Sequence, residues 1–395
     1  MLPPCSEMEL LLYCARTHVD PARADRIQVL LDGKIEWEHL LGLANKHELG
    51  SLLDWQLNNT CPEAVPEKYL SRLQHHFHAN TRRNLYLSGE LLRVLDILGN
   101  HGIAAVPFRG PILAASYYGH LGLREFGDLD LLVHKSEAPR IDEMLANEGY
   151  YPLTRLSRAQ RAAIHESEHH LHLQSDSGDT HLEIHWRVVP RYLFPRFESE
   201  TLWGRLEEVS IGGTSVSTFS PEDLLIVLCL HEASHTWERL AWICDTSELI
   251  RSEVDLDWDD VLRRAEAIRC ERVVFIGLLL AHDLLGTVLP AEIIYKATGD
   301  SAAQVIAHQV KRRIFEGVSG SPLFLIRATD RALDKIELAA RIARNSVVPT
   351  PAEWAVLPLP PALDFLYWII RPVRLFVVYV LSPLTRRVVS VFKRV

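Results

Sequence analysis

An α+β fold is predicted for this chain: a small mixed sheet with flanking helices, set between an N-terminal helical segment and a C-terminal helical bundle. Three observations predict it. Residues 7–100 carry helix-period apolar spacing, residues 101–220 alternate strand-period and helix-period stretches, and from Ser220 onward the pattern is helical again. Hydrophobic residues make up 48% and charged residues 24% of 395 positions, which fits a globular chain of two or three domains. The boundaries fall at 1–100, 101–220 and 221–348, with 349–395 read as a proline-rich linker followed by apolar and basic C-terminal helices.

The N-terminal helices are punctuated at Asp20-Pro21, Gly33, Gly50 and Pro62 to Pro66, and a long helix spans about Pro66–Gly99. The sheet region then reads as a strand at Ile103–Phe108, a short helix at Ile112–Tyr118, a turn at Gly119–Gly122 and a strand at Gly127–His134. A helix at Ala138–Glu148 and a strand at Gly149–Leu153 follow. His169–Leu173 and Thr180–Val188 form a hairpin across Ser175-Asp-Ser-Gly-Asp179. Ile211–Phe219, turning at Gly212-Gly213, closes the region. Ser220 as N-cap, Pro221 at N1 and Asp223 at N3 open the C-terminal bundle. Its helices lie at roughly 221–236, 238–250, 257–269, 271–285, 291–297 and 301–316. Gly317–Pro322 and Pro349–Pro361 read as linkers.

Asp128 and Asp130 carry the chemistry. Two residues apart on a strand, they project to one side while Leu129, Leu131 and Val133 face the other. Magnesium is bound by one or two carboxylates together with substrate phosphates, so this spacing suits phosphoryl or nucleotidyl transfer. Some twenty residues earlier, Arg109-Gly110 lies between a strand and a helix, where Gly110 lets the backbone approach a phosphate closely. A third carboxylate, Glu183, lies in His181-Leu-Glu-Ile-His-Trp186, whose alternation puts His181, Glu183 and His185 on one face. It is expected to complete the metal site or orient an acceptor hydroxyl; on an edge strand it would simply face water. Arg124 and Arg187 are phosphate candidates, with a structural salt bridge as the competing role for each.

Two histidine groups need weighing. His231-Glu-Ala-Ser-His235 matches H-E-x-x-H, in which paired histidines bind zinc and Glu232 is the base of a peptidase. That reading leaves the acidic pair unused and has no compelling third ligand, although Asp245 and Glu248 lie within reach. His165, His169, His170 and His172, flanked by Glu166 and Glu168, read as an exposed helix running into a strand.

The ordered set Trp37-Glu-His-Leu-Leu to His47, Arg82-Arg-Asn84, Arg109-Gly110, Tyr117-Tyr-Gly119, Leu123-Arg124, Gly127-Asp-Leu-Asp-Leu-Leu-Val133, Glu183-Ile-His-Trp186 and His231 through Asp245 resembles a bacterial family. That family is the "uncharacterised nucleotidyltransferase" group of the polymerase-beta-like nucleotidyltransferase superfamily, and the resemblance covers most of residues 35–375. It implies a nucleotidyltransferase-like sheet with Asp128, Asp130 and Glu183 as catalytic and metal-binding carboxylates. Magnesium or manganese would be the cofactor, and a nucleoside triphosphate, with ATP favoured, the co-substrate. Arg109, Gly110, Arg124 and Arg187 fall to phosphate binding, while His185, His231, His235, Trp242 and Asp245 line the cleft. Two departures stand out. Arg109 replaces the family's usual Lys, keeping the charge and adding a planar fork. Pro111 replaces the superfamily Ser and offers neither hydroxyl nor backbone N–H. The expected reaction is attack of an acceptor hydroxyl on the α-phosphate, the acceptor being a small molecule, a peptide or a protein side chain. The competing reading is a non-catalytic nucleotide- or partner-binding protein of the same fold.

A formal net charge of −9 disfavours a broad nucleic-acid surface. Six scattered cysteines without a C-x-x-C pair indicate neither a zinc ribbon nor a disulfide framework, which fits a reducing cytoplasm. The first residues lack a basic region followed by an apolar run, so no secretory signal is expected. Leu363–Leu381 is apolar but interrupted by Arg371, Pro372 and Arg374, so docking is expected rather than insertion. Arg386-Arg387 and Lys393-Arg394 make an amphipathic end suited to an anionic membrane, a partner or plain packing, so a peripheral position at the inner membrane surface is the alternative location.

Overall fold

The computed structural model describes residues 5–152, 158–318, 324–329, 331–350, 353–354, 357 and 359–377. Five strands form the main sheet: β1 (Ala105–Pro107), β2 (Asp128–Val133), β3 (Tyr150–Pro152), β4 (His170–Ser175) and β5 (His181–His185). Their order is β1-β2-β5-β4-β3, with β2 and β5 parallel and every other neighbour antiparallel, so the sheet is mixed. A separate hairpin pairs β6 (Leu206–Ile211) with β7 (Thr214–Phe219). Gly212 and Gly213 both take positive φ at its two-residue turn, a conformation that side chains resist. The expected strand at Ile211–Phe219 is thus the second arm of a longer ribbon.

Helices surround the sheet: α1 (Ser6–Cys14), α2 (Pro21–Leu31), α3 (Trp37–His47), α4 (Gly50–Thr60) and the long α5 (Glu67–Asn100) precede it. Within it come α6 (Pro111–Ser116), α7 (Ala138–Asn147) and α8 (Arg158–Ser167). After it come α9 (Pro221–Ser234), α10 (Leu240–Ser252), α11 (Trp258–Ala267), α12 (Glu271–Leu285), α13 (Ala291–Gly299) and α14 (Ser301–Glu316). The last are α15 (Phe324–Ala328), α16 (Ala332–Asn345) and α17 (Tyr367–Phe376).

Packing sets which face of the sheet is left for chemistry. Leu129, Leu131 and Val133 of β2 are buried with Leu182 and Ile184 of β5 and with Leu87, Leu91, Val94 and Leu98 of α5, a run at helical i, i+3, i+4 spacing. The opposite face carries Asp128 and Asp130. A second core joins Leu10 and Leu11 of α1, Leu40 of α3 and Leu53 of α4 to Leu224 and Leu228 of α9 and Ile276 and Leu280 of α12. The helices before and after the sheet therefore share one interior. Arg16 ties them further by donating from Nη2 to the Leu285 carbonyl at 2.6 Å.

The cap of α9 is as the sequence indicates, with Ser220 accepting from the Asp223 N–H and Pro221 in the first turn. Its end is not: α9 stops at Ser234, Thr236 and Trp237 take positive φ, and α10 starts only at Leu240. Trp237 is fully buried, and its packing holds a backbone conformation that non-glycine residues avoid. Among the described residues no helix is long and apolar enough to cross a membrane. The expected Leu153 strand end, the 319–322 part of one linker, most of residues 351–358, and the apolar and basic run beyond Val377 lie outside the described residues.

Candidate active site

The ladder register assembles the site. Across β2, β5 and β4, Asp130 lies opposite Glu183 and Glu183 opposite His172, so three polar side chains stand in one row on the open face. The next row is Leu132, His185 and His170, and the row before is Asp128, His181 and Gln174. These rows floor a cleft of about 1010 Å³, large enough for a nucleotide with a second substrate. Arg109 and Gly110 from the β1–α6 turn, Arg124 to Gly127, Asn80 and Arg83 of α5, and His231, His235 and Trp242 complete its walls.

Asp130, 3% exposed, is gripped from two sides. Arg109 Nη2 donates to its Oδ1 at 2.5 Å, and His185 Nε2 donates to the same oxygen at 3.0 Å while lying 3.2 Å from Glu183 Oε2. Burial works against a charge on His185, but those two carboxylates outweigh it and push its pKa up to about 9, so the ring is protonated at neutral pH. Glu183 shows the reciprocal effect. Burial would raise it, yet hydrogen bonds from His172 and His185 hold it well below the usual carboxylate range.

Asp128 is different. Burial first, and then the Asp130 charge, push its pKa up to about 6 against the pull of Arg109. Arg109 in turn is buried, but Asp130, Asp128 and Glu183 raise its pKa above the ordinary arginine value. Its Nη1 lies 2.7 Å from His231 Nε2; burial and this guanidinium hold His231 neutral, well below the usual imidazole range.

Arg124 is braced from behind. Its Nε and Nη2 each donate to an oxygen of Asp245 at 2.8 Å, and the Tyr118 hydroxyl donates to Asp245 Oδ1 at 2.7 Å. Arg124 therefore reaches the cleft already partnered, with Nη1 buried and unsatisfied among the described residues; Arg109 Nε is in the same condition. Asp245 itself is buried and holds this arginine, rather than lining the wall as expected. Nor is Arg187 brought in: β5 ends at His185, the chain bends, and Arg187 pairs with Glu198 at 2.8 Å.

His231, His235 and Trp242 do converge, with ring centroids 4.7 to 5.4 Å apart. They do so from the end of α9, where His235 is the C-cap, and from α10 packed against it, because the helix is interrupted at Thr236 and Trp237. The peptidase reading fails on Glu232. That carboxyl is 1% exposed, accepts from Thr246 Oγ1 at 2.5 Å on the core side, and burial pushes its pKa up to about 8. It points away from the His231 and His235 rings and serves as a buried acid between α9 and α10.

The histidines read as an exposed surface belong to the cleft instead. His169, His170 and His172 line it, while His165 packs on Trp186 at 4.9 Å. The alternating histidines beside a hairpin turn were visible in the sequence, but the turn sets the register that aims them at Glu183. With Ser175 bonded to Thr180 across the turn, hairpin partners sum to 355, so His172 had to face Glu183 and His170 had to face His185.

A family model described as "Uncharacterised nucleotidyltransferase" matches residues 33–286, from just before α3 to Gly286, the cap of α12. A solved structure, an antigenic nucleotidyltransferase-like protein from Paracoccidioides brasiliensis, is similar at 14% identity and a TM-score of 0.35, over 54% of this chain and 96% of that one. No curated protein matches. The family match spans well over half of the sequence, and it includes both β2 carboxylates, Glu183 and the α9–α10 wall: the chain belongs to the uncharacterised nucleotidyltransferase family.

Proposed function

We propose that this chain transfers a nucleoside monophosphate from a nucleoside triphosphate, ATP being the favoured donor, to an acceptor hydroxyl, with a divalent cation held by Asp128, Asp130 and Glu183. One observation carries the reading: the register sets three carboxylates on one open sheet face beneath two arginines that retain unspent donors. The residues fit a metal. Asp128 makes no direct hydrogen bond or ion pair among the described residues, and its raised pKa reports a negative charge short of compensation. An all-oxygen donor set suits a hard cation such as magnesium. Bound there, magnesium would supply charge neutralisation for a triphosphate.

The protein's own groups then divide the work. His185 keeps Asp130 and Glu183 oriented, since its Nε2–H reaches both. Arg109 Nε and Arg124 Nη1 are the donors left for phosphate oxygens, and Asp245 and Tyr118 fix the second of these. The helix after the glycine contributes little: Pro111 has no N–H and the Ile112 N–H is spent on the Arg109 carbonyl at 3.0 Å. Side chains replace the backbone as phosphate ligands in this site. In the displacement, the acceptor hydroxyl gives up its proton to solvent, its oxygen bonds to the α-phosphorus, and the bond from that phosphorus to the bridging oxygen breaks as pyrophosphate leaves.

The same spent backbone donors favour a second reading, nucleotide binding without turnover. Incubation with ATP labelled at the α or the γ position, magnesium, and a pool of cellular metabolites and proteins separates the two. Transfer predicts α-label in a new product, γ-label in pyrophosphate, and a loss of at least about 100-fold in Asp130→Asn. Magnesium-dependent binding with no pyrophosphate would select the binding protein.

A further inference from the structure

We propose a second cation site in the cleft, built by His170, His172 and Glu183 and suited to a transition metal of the zinc or cobalt class. It shares Glu183 with the magnesium reading above, but it rests on the two imidazoles and not on that reading.

The geometry starts with the β4–β5 ladder, which stands His172 beside Glu183 and His170 one pair along the same face. Glu183 Oε1 lies 2.9 Å from His172 Nδ1, and Oε2 lies 3.9 Å from His170 Nε2. One ligand atom from each of the three residues falls within 4.8 Å of the other two. The two Nε2 atoms face each other at 2.6 Å. That contact needs a proton between them. With His172 Nδ1–H donating to Glu183, the His172 Nε2 carries a lone pair, so His170 must supply the proton from its own Nε2. The remaining nitrogen, His170 Nδ1, is buried and has no partner among the described residues. A metal cation in place of the shared proton takes up both Nε2 lone pairs and lets His170 move its proton to Nδ1.

The hydrogen bond from His172 Nδ1 to Glu183 Oε1 is the arrangement that fixes a metal-ligating imidazole and strengthens it as a donor, so the two Nε2 atoms are the ligands and Glu183 supports His172 from behind the ring. Access is open, because His172 is half exposed at the cleft mouth, with 52% of its side chain in solvent. Hardness separates the two sites: Asp128 and Asp130 offer oxygen only, whereas paired imidazoles suit zinc, cobalt or nickel and are poor ligands for magnesium. Glu183, between Asp130 and His172 in the same row, is the carboxylate common to both.

The test is titration of untagged full-length chain with Co²⁺ in millimolar magnesium, followed by visible absorption and by equilibrium dialysis. One Co²⁺ per chain is expected, with affinity reduced at least about 10-fold in His172→Ala and in His170→Ala and retained in Asp128→Asn. His172 is exposed enough for its variant to fold, and circular dichroism checks that. Absence of stoichiometric binding, or binding indifferent to His172→Ala, overturns the site. Loss in His235→Ala with both β4 variants normal would move it to α9 and overturn it equally. Cobalt binding without magnesium-dependent nucleotide binding would remove the proposed function and leave this site standing, and the reverse result would remove this site alone.

Discussion

Asp128 shows what crowding carboxylates on one sheet face costs a fold. Its pKa in the folded chain is about 6, above the ordinary 3.8, so it favours the fold only while protonated. That contribution is complete below about pH 3.8 and is lost as pH rises through 6, after which the ionised group works against folding. A shift of this size corresponds to about 1–3 kcal/mol, allowing for partial exposure. We expect Asp128→Asn to raise the urea midpoint of the metal-free chain at pH 7 while abolishing metal-dependent function, with the gain vanishing as pH falls below about 4. A destabilised Asp128→Asn at pH 7 would mean that the carboxylate is satisfied in a way the structure does not show. The residue scale was also where the sequence was least legible. Asp128, Asp130 and Glu183 announce themselves by alternation with leucines. The partnership of Arg124 with Asp245, across 121 positions, has no local signature. Glu232 sits in a zinc-peptidase motif, yet the rotation of α9 turns it into the core.

Elements decide whether those side chains meet. β2 and β5 were readable because one face of each is apolar, and a slip of one residue in their pairing would send every carboxylate into the core. The β4–β5 hairpin was readable in outline, but the His170 and His172 assignment needed the turn to be counted through to the ladder. The break between α9 and α10 was readable to within about two residues at each end, but its geometry was not, since Thr236 and Trp237 carry no glycine or proline signal for their positive φ. At the β1–α6 junction, Gly110 has φ +51, and a Cβ there would lie 3.2 Å from the Asp128 carbonyl oxygen. Gly110→Ala is therefore expected to cost about 1–2 kcal/mol by left-handed strain and to weaken metal-dependent nucleotide binding by displacing the start of β2. Gly99→Ala, in the last turn of α5 with open space around it, serves as the control and should be neutral or slightly stabilising. Equal urea midpoints and equal binding for the two variants would contradict the role given to the junction.

At the scale of the whole molecule, the family match begins at residue 33, yet the interior does not. Met8, Leu10, Leu11 and Cys14 of α1 are buried in the core shared with α9 and α12, and Arg16 donates to the Leu285 carbonyl. Exposing three such large side chains forfeits about 5–9 kcal/mol, comparable with the whole stability of a typical domain. A chain cut to residues 33–286 should thus lose cooperative thermal unfolding, although it retains every residue assigned to the site; a sharp, reversible melt would show that the site region folds alone. The helical wrapping was legible from periodicity, whereas the sharing of one core by its two ends depended on tertiary pairing that no local pattern encodes.

The proposed function stands or falls on whether the β2–β5 carboxylates hold a metal-bound nucleotide. Calorimetric titration of magnesium with a non-hydrolysable ATP analogue into wild type and into the Asp128→Ala, Asp130→Ala double variant tests it most directly. One-to-one binding that requires magnesium and disappears in the double variant is the expected result, while nucleotide binding that survives both the removal of magnesium and the loss of these two carboxylates would contradict it.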